Sequence, residues 1–449
     1  MTVCSKLDYQ YGWRWLLPHC VNRGVGLVGF SEDEVLFWKT VLPVTSHNRE
    51  DARRDFLIIN GCRYQPDSAL AESAVGVCVF ADRDQSSQWR SILDSSFPYI
   101  REYALLPPGN PRVVVPLSSG LNTYRSLALH RPGRRWARVA LTLSRWLARV
   151  GSLWLLKKRV LLIATDAQNS TPVGAIEAEL DDTSEKEARD YALYLGSPDN
   201  NRKTVVLPMG AEPLTAITKI GATQVARSSV ECEASALTYL SATSLKEAVP
   251  KILKITISPE VVALTQEYRL RRRVRSRHFE NEVVKFLMRL ANQGLVKHHL
   301  SGLLDRLVGE HPNNVAQEHP TERQQLLAKL REVAGGGDYL WRSRVHGDFA
   351  PWNCAWTDKG LFVYDWEASQ EAGIALSDAF YYVCAPAMLV DGRQNLEETL
   401  DSALNLGKRV AAMARLDLDV KIQFAVWLLS CPDRIFTNRL MLALLVGWR

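Results

Sequence analysis

Short apolar runs separated by polar breaks fill residues 1–118. Val25–Phe30, Asp55–Ile59 and Arg112–Val115 read as strands, and Ala74–Phe80 is a further apolar run. A helical pattern at Gln88–Ser95 lies among them, which suggests a mixed α/β region. From residue 190 the pattern changes: Tyr191–Leu195, Lys203–Leu207 and Leu214–Ile220 read as strands, and Val230–Leu240 as a helix. Lys251–Ile257 and Val261–Thr265 read as further strands. Beyond His278 amphipathic helices take over, at Phe279–Leu290, Gln324–Val333, Leu396–Ala414 and Val420–Leu429. A small antiparallel sheet followed by a helical lobe gives an α+β, two-lobed expectation. The boundaries are 1–165 for an N-terminal mixed α/β region, 166–189 for a linker, 190–267 for a sheet lobe and 268–449 for a helical lobe.

Charge is distributed unevenly. The net charge of +6 is mild, but residues 123–161 carry repeated arginines and lysines and no acid. Trp136, Trp146 and Trp154 are interleaved with leucines there. Such a helix either packs its Leu/Trp stripe on a core or lies in a membrane interface. A second basic run, Arg269 to Arg277, is either a solvated surface or an attractor of anions and headgroups. No motif for nucleic acid accompanies either run. Arg53, Arg54 and Asp55 read as a solvated turn or helix face.

Composition narrows the class further. At 47% hydrophobic and 23% charged, the chain has the make-up of a globular protein. Its eight cysteines form no C-x-x-C pair, which reads as reduced thiols and a cytoplasmic location, with peripheral membrane contact open. The first residues do not form a secretory h-region, and no apolar run reaches the length of a membrane span.

The chemistry concentrates in Val345-His346-Gly347-Asp348-Phe349-Ala350-Pro351-Trp352-Asn353, followed by Leu361 to Tyr364 and then Asp365-Trp366-Glu367. Phosphoryl transfer requires a group that orients the acceptor hydroxyl and takes its proton, together with oxygen ligands for Mg²⁺. Asp348 with Asn353 five residues on supplies that pair, and Asp365 follows an apolar strand whose hairpin returns it to the loop.

The stretch resembles the aminoglycoside phosphotransferase and choline kinase-like family, with its H-G-D-x-x-x-x-N loop and an acidic residue after D-W. The resemblance covers residues 190–449. It implies a protein-kinase-like fold, Asp348 as catalytic base, and Asn353 and Asp365 as Mg²⁺ ligands. His346 becomes a structural part of the loop, and Asp378 the later carboxylate that steadies it. On the nucleotide side it implies Lys219 paired with Glu233, a turn at Gly196 and Ser197 over the phosphates, and a connector near Gln266 for the base. That turn departs from a kinase glycine loop, holding a single glycine in Gly196–Arg202. The implied cofactors are Mg²⁺ and ATP, with GTP as the alternative nucleotide. The implied acceptor is a small hydroxylated molecule such as a sugar, an amino alcohol or a saccharide. The competing reading is a catalytically degenerate kinase fold that binds or scaffolds, with a membrane-peripheral place in polysaccharide biosynthesis as its context.

Overall fold

The computed structural model describes residues 12–17, 24–46, 56–72, 74–107, 111–127, 135–165, 190–196, 202–209, 215–259, 261–269, 272, 276–302, 304, 321–334, 339–389, 395–431 and 434–447. The fold is α+β. Contacts divide it into two compact units, residues 1–230 with 253–268, and residues 231–252 with 269–449.

The first unit is built on one twelve-stranded sheet. Its early strands are β1 (Val25–Val28), β2 (Val44–Ser46), β3 (Phe56–Asn60), β4 (Gly76–Asp82), β5 (Tyr99–Leu106), β6 (Val113–Pro116) and β7 (Arg159–Thr165). Its later strands are β8 (Asp190–Tyr194), β9 (Lys203–Met209), β10 (Ala216–Gly221), β11 (Ile252–Ile257) and β12 (Val262–Glu267). The spatial order is β11-β12-β10-β9-β8-β6-β5-β7-β4-β3-β1-β2. β1, β2, β3 and β4 run parallel, and the pairs from β4·β7 to β10·β12 that can be traced are antiparallel. The sequences of β1, β3 and β4 are nearly continuous apolar runs because both faces are covered, as in other parallel sheets. The run at Ala74–Phe80 is therefore a full strand, a central one of the sheet.

Helices α1 (Glu32–Val41), α2 (Ser68–Glu72), α3 (Arg83–Ser96), α4 (Gly120–Leu127) and α5 (Arg135–Arg149) accompany the early strands. The anticipated linker 166–189 lies outside the described residues, and so do Arg53, Arg54 and Asp55. The strands on either side of 166–189 belong to the same sheet, and β6 pairs directly with β8 through Val113–Tyr194 and Val114–Leu193. The small sheet expected after residue 190 is thus the far end of a much larger one. Its length was not readable because edge pairing is nonlocal: any two apolar strands look alike until register joins them.

Register also sorts the faces. Thr218 and Ile220 of β10 share a face with Val206 of β9 and Leu193 of β8, while Lys219 stands opposite Val205 and Leu264 on the other. The first face is covered by the short helical turn Gly12–Leu16: Trp13, Leu16 and Leu17 join Leu193, Val206 and Ile220 in one buried cluster. Trp13 stacks on Phe80 at 6.3 Å, so the same turn also reaches the parallel end.

The second unit holds a three-stranded sheet ordered β13 (Val296–His299), β14 (Tyr339–Val345), β17 (Gln370–Ile374), and a hairpin of β15 (Cys354–Thr357) and β16 (Gly360–Val363). Helix α6 (Gln224–Ser241) enters it after Val230. Helices α7 (Ser276–Ala291), α8 (Glu322–Ala334), α9 (Ser377–Leu389), α10 (Leu396–Ala414), α11 (Val420–Ser430) and α12 (Arg434–Val446) supply the rest. α10 begins at Asn395, whose side chain accepts from the Glu397 N–H at 3.1 Å. It stops at Arg415, which takes a left-handed conformation. These are ordinary cap solutions for the unpaired backbone groups of helix ends. Among the described residues no helix is long and apolar enough to cross a membrane.

Candidate active site

Strand β14 delivers the chain into the loop at His346. The backbone N–H groups of His346 and Gly347 both donate to the Asp378 carboxylate, at 2.7 and 3.0 Å. Two successive N–H groups aimed at one anion form a small nest. Asp378 sits in the first turn of α9, so a helix start fixes the bend of the loop. Gly347 has φ +83, and a Cβ built there would lie 2.1 Å from the Ala368 carbonyl oxygen. Both the torsion and the space demand glycine.

His346 is wholly buried, 4.5 Å from the Trp366 ring and edge-on to Phe349 at 5.9 Å. Its Nδ1 accepts the Asp348 N–H at 3.2 Å, so in the neutral ring Nε2 carries the proton and donates to the Tyr364 carbonyl at 3.1 Å. His346 is thereby a strut between two loops, with both nitrogens committed.

Asp348 is half-buried and held by Asn353. Asn353 Nδ2 stands 2.9 Å from the Asp348 carbonyl and 2.9 Å from its Oδ2. The 3-10 turn Pro351–Asn353, closed by Asn353 N–H to the Ala350 carbonyl at 2.9 Å, sets that reach. Asn353 then opens the β15–β16 hairpin, and the Tyr364 N–H returns to the Asn353 carbonyl at 3.1 Å. Asp365 follows at once, in a left-handed turn with φ 72 and ψ 58. The hairpin therefore brings Asp365 back beside the residue that opened it.

Burial shapes the charges. Loss of hydration pushes the Asp378 carboxyl up to about 6, the two N–H bonds pull against that, and the Asp348 charge adds to the rise. Tyr381, three residues beyond Asp378 on the same helical face, has its phenol pushed up by burial, by the Asp348 charge and by a hydrogen bond to the Asp348 side chain. Sequence reasoning missed Tyr381. Its i,i+3 relation to Asp378 was the available signal.

The remaining sequence-derived residues fall in both units. Gly196 lies two residues beyond β8 with φ +68 in the first unit, and Ser197 lies outside the described residues. Lys219 on β10 and Gln266 on β12 are both buried. Glu233 is fully buried in the part of α6 that belongs to the second unit. Its neighbour Cys232 donates to the Ser369 carbonyl at 3.3 Å, and Tyr239, further along that helix, lies under the Arg344 guanidinium at 4.0 Å. Arg269 departs from the picture of a solvated basic run. It is buried, donates to the Glu247 carbonyl at 2.6 Å and covers the Phe362 ring at 4.5 Å. Its long apolar stem and planar head suit packing rather than charge display. Arg271, Arg273 and Arg275 lie outside the described residues.

No protein-family model matches the chain, and no curated protein matches it. Solved structures do. A thermostable mutant of aminoglycoside phosphotransferase APH(4)-Ia in its apo form is similar over 61% of this chain and 91% of its own, at 12% identity and a TM-score of 0.38. The streptomycin–ATP ternary complex of APH(2'')-IIa is similar over 60% and 95%, at 14% identity and a TM-score of 0.34. APH(3'')-Id from Streptomyces rimosus ATCC10970, in complex with ADP and streptomycin, is similar over 54% and 90%, at 12% identity and a TM-score of 0.32.

Among the described residues no group of three or more His, Cys, Asp or Glu side chains gathers at metal-binding distance. The donor set nonetheless fits a hard divalent cation that keeps part of its water. Asn353 spends its amide nitrogen on Asp348, which leaves its side-chain oxygen for a ligand, and the Asp365 carboxylate follows the same hairpin. An amide oxygen and a carboxylate are what Mg²⁺ accepts alongside phosphate oxygens.

Proposed function

We propose that this chain is an ATP-dependent phosphotransferase that moves the γ-phosphoryl group to a hydroxyl of a small molecule, a sugar, amino alcohol or saccharide-like acceptor. The observation that carries it is the Asp348 carboxylate, only partly buried yet oriented by the Asn353 amide at 2.9 Å. A base for phosphoryl transfer needs that combination of access and fixed direction.

In this reading Asp348 accepts a hydrogen bond from the acceptor hydroxyl. As the acceptor oxygen forms its bond to phosphorus, the bond from phosphorus to the bridging oxygen breaks, and ADP leaves with that electron pair. The hydroxyl proton passes to Asp348 and is then lost to water. Asn353 and Asp365 would hold Mg²⁺, which would supply neutralisation of phosphate charge. His346, Gly347 and Asp378 fix the loop so that Asp348 does not reorient. Lys219, Glu233, Gly196, Ser197 and Gln266 are the residues proposed to serve the nucleotide. ATP is the proposed donor, and GTP is the alternative to test beside it.

The test is transfer of label from γ-labelled ATP with Mg²⁺ into sugars, amino alcohols, and the aqueous and lipid phases of a cell extract. Wild type is compared with Asp348→Asn. Label that appears with wild type alone supports the proposal. No transfer by either protein, with no rise in Tm on adding Mg-ATP, replaces it with a binding or scaffold role for the fold.

A further inference from the structure

Helix α5 leaves an organised apolar surface uncovered. Its inner side, with Ala148 buried and Leu141 packed beside it, joins the cluster formed with Val113, Leu117 and Leu127. On the other side Val139, Leu143, Trp146 and Val150 are 69%, 55%, 58% and 53% exposed. The Val150 N–H still bonds to the Trp146 carbonyl at 3.1 Å, so the helical path holds through this position. At about 100° per residue these four side chains fall within an arc of about 60°, opposite Ala148. Core packing therefore accounts for one stripe of the helix and not for this one.

The charge around the stripe identifies its occupant. No Asp or Glu occurs between Glu102 and Asp166, while Lys and Arg recur throughout. Arg145 is held over the Tyr124 ring at 4.6 Å, but Arg149 and Lys158 are exposed. Leu121 and Leu155, at 53% and 45% exposure, add apolar surface from the segments before and after the helix. A protein partner with an apolar groove would explain the stripe but not the lack of any acid over this whole stretch. A polyanion alone would explain the cations but not four solvated apolar side chains in register. An anionic bilayer surface uses both, with apolar side chains below the headgroups and cations at the phosphates.

We propose that α5 docks the protein on anionic membranes, lying in the interface plane with Val139, Leu143, Trp146 and Val150 immersed and Arg149 and Lys158 facing the headgroup phosphates. The proposal stands apart from the phosphotransferase reading, because it requires no activity.

The experiment is flotation of the full chain with vesicles of phosphatidylcholine alone and of phosphatidylcholine with roughly one-quarter phosphatidylglycerol. Wild type is expected to float with the anionic vesicles only, and more weakly as salt rises. L143S/W146S and, separately, R149E/K158E are expected to reduce the bound fraction by about tenfold or more, with Tm unchanged because the altered side chains are solvated. V139S is the fallback if the double apolar variant does not fold, with a smaller loss in the same direction. Failure of wild type to float overturns the proposal, and so does flotation by the apolar variants equal to wild type. Retention on RNA with no vesicle binding also overturns it, in favour of a polyanion.

Discussion

Asn353 touches Asp348 twice, its amide nitrogen lying 2.9 Å from both the carbonyl and the carboxylate oxygen. One side chain thus sets the direction of the candidate base and the shape of the turn that carries it. Asn353→Ala removes both contacts. Transfer activity is expected to fall by about 100-fold or more, as for other losses of positioning, while Tm moves by only a few degrees. Initial rates and thermal unfolding of the same preparation check this. Equal losses in both would mean that the residue only holds the fold.

Asp348→Asn keeps the shape of the side chain and removes the proposed proton acceptor. The expected loss of turnover is about 10²- to 10⁴-fold, with little change in the affinity for nucleotide. Nucleotide binding measured by calorimetry alongside rates separates the two effects.

Gly347→Ala must place a methyl group 2.1 Å from the Ala368 carbonyl oxygen at a φ of +83. The torsion alone costs about 1–3 kcal/mol, and the clash adds to it. Urea unfolding is expected to show a loss of about 3 kcal/mol or more relative to wild type.

Asp378 gives a pH signature. Its carboxyl titrates near 3.8 without perturbation and is pushed up to about 6 in the folded protein. Below about pH 3.8 both states hold the proton, and between there and about pH 6 only the folded state does. The contribution of this group to stability is therefore greatest at low pH and declines as pH rises towards 6. Unfolding across that range should show the decline in wild type, and Asp378→Asn should lack it. Asp378→Ala is expected to be worse at every pH, since it orphans two backbone N–H groups at about 1–3 kcal/mol each.

The loop at His346–Asn353 was legible because its signal is local. His346, Gly347, Asp348 and Asn353 lie within eight residues, and the strand before Asp365 forecasts the hairpin that returns it. The helix at Leu396–Ala414 was equally legible, since its apolar period runs unbroken between a cap and a left-handed stop. β5 was not. Arg101 and Glu102 interrupt its apolar pattern, and only the fold shows Glu102 accepting from Lys157 at 2.7 Å and pairing with Leu162 across the strand. α5 was half legible. Its sequence shows amphipathicity, but which stripe meets the core depends on neighbours far along the chain. Tyr381 escaped because a tyrosine on an apolar helix reads as packing unless the facing carboxylate is known.

The junction of β6 with β8 bears on how this chain can be recombined. The segment 166–189 looks like a seam at which one gene fragment could be exchanged for another. A crossover there would strip β8 of its partner Val113–Val114 and leave Leu193, Val206 and Ile220 without the cover of Trp13. A fragment starting at residue 190 is accordingly expected to be less soluble than the full chain, and expression of both checks it. Substitutions in β6 are therefore expected to be answerable to β8.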